Sequence, residues 1–333
     1  MILITGGSGF IGKHVTAHLL LTTNRKIRIF SRNPKKIFDG LDQVLQSSLQ
    51  TIESLHTQGL FSAEILHLAK ENISILTKNI NDRVDLITGT ITSDSDVINA
   101  LLGVNSVINL AGIIRETNVA SFEDVNINGV ERLIRLIDTT RVNNLTHLST
   151  LESETNENQR YSYSKLQADK LIMKSNLNYS IIRSSLVLGP NDGFSKRIKQ
   201  SLLIPLPIFP LPGGGNQLFQ PISVYELAFI LSSTLQANQK NNRLPKIYCI
   251  GGPEHISFKT LVKYYAEKEG KSRFFLPIPS TFLNIPVKIL AKIMVDPLIT
   301  QNEMFELKKD NITKLDSVKT HFGFEPSRYT DFA

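Results

Sequence analysis

Apolar residues recur along this chain in two alternating rhythms: short continuous apolar runs, and longer stretches in which apolar positions return every three or four residues. Ile2, Leu3 and Ile4 predict a buried first strand, and His14 to Leu21 follow with helical spacing. Lys26 to Phe30, Val84 to Thr88, Ser106 to Gly112 (running into a small-residue turn), Leu145 to Ser149 and Tyr179 to Arg183 predict the second to sixth strands. Between them, Ser93 to Leu102 predicts a helix capped by Ser93 or Asp94, and Val130, Leu133, Ile134 and Ile137 mark another. Strands alternating with helices predict an α/β fold, a doubly wound parallel sheet covered on both faces.

Two regions depart from this rhythm. Residues 37 to 80 carry Leu41, Val44, Leu45, Ile52 and Leu55, then Ile65, Leu66, Leu68, Ile73 and Leu76, with Gly59 between. This predicts a helical hairpin inserted after the second strand. After about residue 190 the texture changes. Ser201 to Pro212 is apolar and broken by proline, which predicts a loop or cap over a cavity. Ile247 to Ile250 predicts a further strand, and residues 257 to 268 a helix led by Ser257. Residues 280 to 299 carry Phe282, Leu283, Ile285, Val287, Ile289, Leu290, Ile293 and Met294, with Lys288 and Lys292 among them, consistent with a buried lid helix or with an amphipathic contact to a membrane or partner.

The first strand runs into Thr5-Gly-Gly-Ser-Gly-Phe-Ile-Gly12, so Gly6, Gly9 and Gly12 fall between a strand and a helix. In that context the glycines serve a tight turn, backbone approach to a pyrophosphate and close packing of the helix. The pyrophosphate then meets the N–H groups of the helix start, at Gly9, Phe10, Ile11 and Gly12. This predicts a dinucleotide-binding domain over 1–190 and a smaller, interleaved substrate or cap region over 191–333. At the end of the second strand stand Ser31 and Arg32, with Lys35 and Lys36 behind them. The carboxylate that would bond the ribose hydroxyls of NAD(H) is missing there, and Arg32 can fork onto a 2′-phosphate. NADP(H) is therefore favoured over NAD(H). Ala111 and Gly112, after the fourth strand, allow backbone to approach the nicotinamide half.

Tyr161 and Lys165 are four residues apart, which puts both on one face of a helix. An ammonium beside a phenol favours the phenolate, so Tyr161 can exchange a proton with a substrate oxygen. Lys165 can also hold the nicotinamide ribose. Ser149 or Thr150, at the end of the fifth strand, can orient the substrate oxygen.

Composition narrows the partners. The chain has 333 residues, 41% hydrophobic and 20% charged, enough for a full core. Cys249 is the single cysteine; it excludes a disulfide framework and sits in an apolar run, as a buried core thiol would. No cysteine–histidine spacing suggests a metal. The net charge of +7 comes from scattered basic residues with no nucleic-acid motif. The first apolar segment is too short for a signal peptide, and no uncharged run has the length of a membrane span. The expected location is cytoplasmic, with peripheral contact to the inner face of a membrane as the alternative.

These motifs resemble the extended and atypical short-chain dehydrogenase/reductase superfamily of NAD-dependent epimerases and dehydratases. The glycine turn, Asn109-Leu-Ala-Gly112, Asn126-Ile-Asn-Gly129, Tyr161 with Lys165, and Arg183 through Pro190 carry the likeness. Phe219 to Val224, Gly251 to Glu254, Leu298 to Glu303 and Leu307 to Asn311 are similar to the branch of the nucleotide-binding accessory subunit of respiratory complex I. The resemblance implies cofactor binding by Gly6, Gly9, Gly12 and Arg32, and a catalytic Tyr161–Lys165 pair. It implies that Asn126 shapes the active-site helix. It also implies two functions: an oxidoreductase or epimerase-like enzyme acting on a small molecule, or a non-catalytic subunit of a respiratory or quinone-linked complex. The chain departs from the family where Gly89-Thr-Ile91 replaces the acid usual after the third strand, where Ser184 follows Arg183, and in the long 37–80 insertion.

Overall fold

Seven strands lie in one parallel sheet, ordered β11-β6-β5-β4-β1-β2-β3. They are β1 (Ile2–Thr5), β2 (Ile27–Ser31), β3 (Val84–Thr88), β4 (Ser106–Asn109), β5 (Asn144–Thr150), β6 (Tyr179–Ser184) and β11 (Lys246–Ile250). Short pairs join β7 (Val187–Leu188) to β10 (Ile222–Ser223), β9 (Leu218–Phe219) to β12 (Ile256–Ser257), and β8 (Ile208–Pro212) to β13 (Phe274–Ile278). The structure is a computed structural model. It describes every residue except 141, 143, 152–159, 206, 238–245, 279–299 and 307–308, and the backbone alone at 77, 78, 236, 237, 301, 304 and 305. The 280–299 stretch therefore lies outside the described residues.

The strand period of two divides the core. Ile2 and Ile4 face one layer, with α1 (Phe10–Thr22), α2 (Leu41–Thr57), α3 (Ala63–Asn79) and α8 (Val224–Ala237). Leu3 faces the other, with α4 (Asp94–Leu101), α5 (Gly129–Ile137) and α6 (Arg160–Lys174). α2 and α3 occupy the long stretch after β2. Leu45, Ile52 and Leu55 of α2 join the core around α1, and Asn72 Nδ2 donates to the Leu21 carbonyl at 2.9 Å. A third cluster, Leu188, Ile198, Leu202, Phe209, Leu211 and their neighbours, belongs to the later chain, with α7 (Gly193–Leu203) and α9 (Phe258–Lys268). The later chain also returns to the first region: α8 lies on α1, and β11 extends the sheet.

Two expectations need correction. Residues 208 to 212 form a strand, where the prolines predicted a loop. The ribbon has only two strands, so each has a free edge and tolerates Pro210 and Pro212. Cys249 is half-buried, because β11 is an edge strand; partial burial pushes its thiol pKa up. Among the described residues, no helix is long and apolar enough to cross a membrane.

β1 and β4 are neighbours, yet the chain visits β2 and β3 between them. The sheet's direction of winding reverses there, which opens a crevice at the carboxyl ends of the strands.

His14 and His18 of α1 are buried, and burial holds both pKa values down at about 4. His18 sits against Phe61 and Phe229, with ring centroids 5.9 Å away in each case. Each imidazole is neutral when folded and charges on unfolding below its ordinary 6.5, so stability present above that value drains as pH falls toward 4. Urea denaturation of His18→Leu should show a smaller stability loss between pH 7 and 4.5, by on the order of 2 kcal/mol. Equal losses in the two proteins would contradict this.

Candidate cofactor and active site

The crevice opens into a cavity of about 1820 Å³, well above the volume of a pocket for one drug-sized ligand. Gly6, Gly9, Phe10, Ile11, Gly12, Ser31, Arg32, Ala111, Gly112, Ser149, Thr150, Tyr161 and Lys165 all line it.

The glycine turn is built by close contact. Gly6 has a φ of +66°, and a Cβ there would lie 2.9 Å from the Leu110 carbonyl oxygen at the end of β4. At Gly12 a Cβ would lie 2.5 Å from the Gly7 oxygen, so α1 packs on the loop itself. Gly9 caps α1 without a side-chain acceptor, leaving the first-turn N–H groups available to an anion. These features fit a pyrophosphate. At the end of β2, Ser31 accepts from Ser8 Oγ at 2.8 Å, and exposed Arg32, Asn33 and Lys36 line the same wall.

An acid does reach this end of the cavity, from an element other than the third strand. Asp96 of α4 accepts from the Thr90 N–H at 2.9 Å and lines the wall. A Cβ on Gly89 would sit 2.8 Å from the Asp96 Cβ, so the small residue after β3 admits the α4 side chain. The missing local acid concealed this substitute.

α6 carries the Tyr161–Lys165 pair. Phe122 packs toward Tyr161 with ring centroids 6.0 Å apart. Lys165 is 7% exposed, and its ammonium donates to the Leu148 carbonyl of β5 at 2.7 Å. Burial lowers its pKa to about 8, opposed by the Asp169 carboxylate one turn further along α6. Asp169 is itself pushed up by burial and pulled back by Arg183, whose Nε donates to it at 2.8 Å. His147 Nε2 lies 3.8 Å from Asp169, and burial, helped by the Lys165 charge, keeps this imidazole neutral. A polar chain continues from it: Asn109 Nδ2 donates to His147 Nδ1 at 2.9 Å, Thr5 Oγ1 to Asn109 Oδ1 at 2.5 Å, and Ala111 N to Thr5 Oγ1 at 3.2 Å. The turn at Ala111 is thereby tied to the ground beneath Lys165.

Ser149, 5% exposed, shares the strand face of His147, and its hydroxyl helps hold the Asp169 pKa down. Thr150 points to the opposite face. Asn126 is the one nominated residue off the cavity wall. It lies in a wide, π-helical turn ahead of α5. Its Oδ1 accepts from Ile113 N at 2.9 Å, and its Nδ2 donates to Ile113 O at 3.1 Å and to Ser164 Oγ at 2.9 Å. A Cβ on Gly112 would sit 3.3 Å from Asn126 Oδ1 and 3.9 Å from Lys165 Nζ, so three sequence-distant residues meet at one point.

The helix Gln301–Glu306, whose first residues close the Leu298–Glu303 motif, brings further residues to the site. The Glu306 carboxylate accepts from the N–H and hydroxyl of Ser162, capping the start of α6. Glu303 is gripped by Arg115 through both oxygens, at 2.9 and 2.8 Å. Asn302, Glu303 and Glu306 all line the cavity. Among the described residues, no group of histidine, cysteine or acidic side chains could hold a metal ion.

The model of the NAD dependent epimerase/dehydratase family matches residues 2–251. The chain belongs to this family. It is 25% identical over 230 residues to the NADH dehydrogenase [ubiquinone] 1 alpha subcomplex subunit 9, mitochondrial, of Dictyostelium discoideum, covering 68% of this chain and 62% of that protein. The Arabidopsis thaliana subunit of the same name is 26% identical, with 68% and 54% covered. The match thus spans less than two thirds of these relatives' own length. Among solved structures, the dTDP-glucose 4,6-dehydratase of Streptomyces venezuelae, with NAD and TYD bound, superposes with a TM-score of 0.65. At 17% identity, over 99% of this chain and 94% of that one, the likeness establishes the shared fold.

The buried ammonium has a measurable signature. Below about pH 8 Lys165 is protonated in both folded and unfolded chains, and burying the charge costs stability. From there to 10.5 only the unfolded chain keeps the proton, so stability rises with pH by ~1.4 kcal/mol per unit. Lys165→Met lacks this rise. Parallel denaturation series at pH 8 and 9.5 should show the stability of the variant relative to the parent falling by on the order of 2 kcal/mol; a pH-independent difference would contradict the assignment.

Proposed function

We propose that this protein is an NADP(H)-dependent oxidoreductase or epimerase-like enzyme acting on a small molecule. The observation that carries the reading is the meeting of Lys165 Nζ with the Gly112 turn, in a cavity that also holds Tyr161 and the glycine loop. Gly6, Gly9 and Gly12, with the N–H groups of Phe10 and Ile11, hold the pyrophosphate. Ser31 and Arg32 hold the adenosine end, and Ala111 and Gly112 admit the nicotinamide half in a turn that Asn126 braces. When bound, the cofactor supplies a hydride acceptor or donor.

The chain's own residues manage the proton. Tyr161 gives it to, or takes it from, the substrate oxygen. Lys165 stabilises the phenolate and bonds the nicotinamide ribose. Ser149 or Thr150 orients the substrate oxygen. Because the Lys165 charge fades above about pH 8, the phenolate loses its support there.

A second reading is a non-catalytic accessory subunit of a respiratory or quinone-linked membrane complex, peripheral on the inner face of a membrane. The similarity to complex I subunits favours it, and it uses the same cofactor site. Tight NADPH retention without turnover on any carbonyl or alcohol would select it.

Tyr161→Phe should lower turnover by about 10²- to 10⁴-fold with NADPH affinity unchanged, as measured by steady-state kinetics and fluorescence titration. Unaltered turnover would remove Tyr161 from the chemistry. Arg32→Ala should weaken NADPH about 10- to 100-fold and leave NADH within about twofold. Equal effects on both cofactors would refute the 2′-phosphate contact.

A further inference from the structure

Past Tyr161 and Lys165 the cavity continues into a compartment built from α7, β8 and the segments that follow. Its walls are apolar, carried by Phe194, Ile198, Phe209, Phe219 and Phe258. Phe194, Phe219 and Phe258 form a cluster with each pair of ring centroids 6.3 Å apart. The cavity's rim is apolar as well. Val119, Ile204 and Ile208 line it while 90%, 39% and 45% exposed.

Charge is scarce on these walls. Among the described lining residues after Lys165, Arg197 is the one cation, and it already lies 3.6 Å from Glu303. Arg115 occupies both oxygens of that carboxylate. Of the other acids on these walls, Asp192 is bonded to Ser195 and Glu306 to Ser162. Beside a few serines, the polar footholds are two amides: Asn302, whose oxygen and nitrogen are both buried and unpartnered, and Asn311, whose Oδ1 is. A sugar diphosphate would need several cations or N–H donors for its phosphates and partners for its hydroxyls; unmet, each buried polar group costs about 1–3 kcal/mol. An apolar body gains about 25 cal/mol for each Å² it buries here.

We propose that the second ligand of this cavity is an apolar alcohol or carbonyl compound, bearing rings or a chain, with its oxygen at Tyr161 and its body against the phenylalanine cluster. The inference rests on the Tyr161–Lys165 reading for the position of the oxygen; the apolar class rests on the compartment alone. Nucleotide sugars are the excluded alternative.

The chain contains no tryptophan, so naphthalene emission can be followed free of indole background. Titration of 2-naphthylmethanol into the full chain, with and without saturating NADPH, should show saturable binding. UDP-glucose at the same concentrations should neither bind nor compete. Ile204→Asp combined with Ile208→Asp should weaken the naphthyl ligand at least tenfold, and Ile204→Asp alone should weaken it measurably. Both positions are partly exposed, so the fold tolerates the change. Naphthyl binding without NADPH binding would sustain the apolar compartment and defeat the cofactor reading. Absence of saturable naphthyl binding, indifference to both variants, or tighter binding of UDP-glucose would overturn the proposal.

Discussion

An ammonium group buried beneath the end of a parallel sheet is the constraint on which this site depends. In the role proposed for it, beside a Tyr161 phenolate, Lys165 has to be charged, and burial works against that charge. The fold answers with a short bond to the Leu148 carbonyl and a carboxylate one helical turn away. That carboxylate has the same problem, and Arg183 from β6 answers it. His147 completes the arrangement as a neutral group, which adds no cation beside Lys165. The charges compensate in sequence, from sheet to helix to cavity.

The same network explains why the cofactor turn and the candidate catalytic helix hold a common geometry. Ala111, Thr5, Asn109 and His147 form a continuous hydrogen-bonded chain across β1, β4 and β5. Asn126 makes a second tie, between the Ile113 backbone and Ser164 on α6. Glu306 makes a third, at the start of α6. Each tie joins elements far apart in sequence, so the pair on α6 is positioned by the whole sheet.

That distribution decides what could be read from the sequence. The strands were legible because each is a local apolar run, and the glycine turn because its spacing is local. Tyr161 and Lys165 share the cavity wall because a four-residue separation is one helical turn. Asp96 was hidden, since it reaches from α4 the end of the cavity where the family resemblance led us to expect an acid just after β3. Arg115 and Glu303 are 188 residues apart, and Ser162 and Glu306 are 144 apart, distances over which no periodicity speaks. β8 is not legible in its sequence because proline is a poor guide at a free edge. The apolar run around Cys249 reads as core because it does not reveal that β11 ends the sheet.

The central claim is that this cavity holds an NADP(H) molecule across the glycine turn and the Lys165 pocket. The most direct measurement is to denature the purified, dialysed protein and identify by mass the nucleotide it releases, beside the same preparation of Lys165→Ala. The account predicts NADP(H) from the parent and a reduced amount from the variant. Release of NAD(H), of a nucleotide sugar alone, or of no nucleotide from a parent that also fails to bind added NADPH would contradict it.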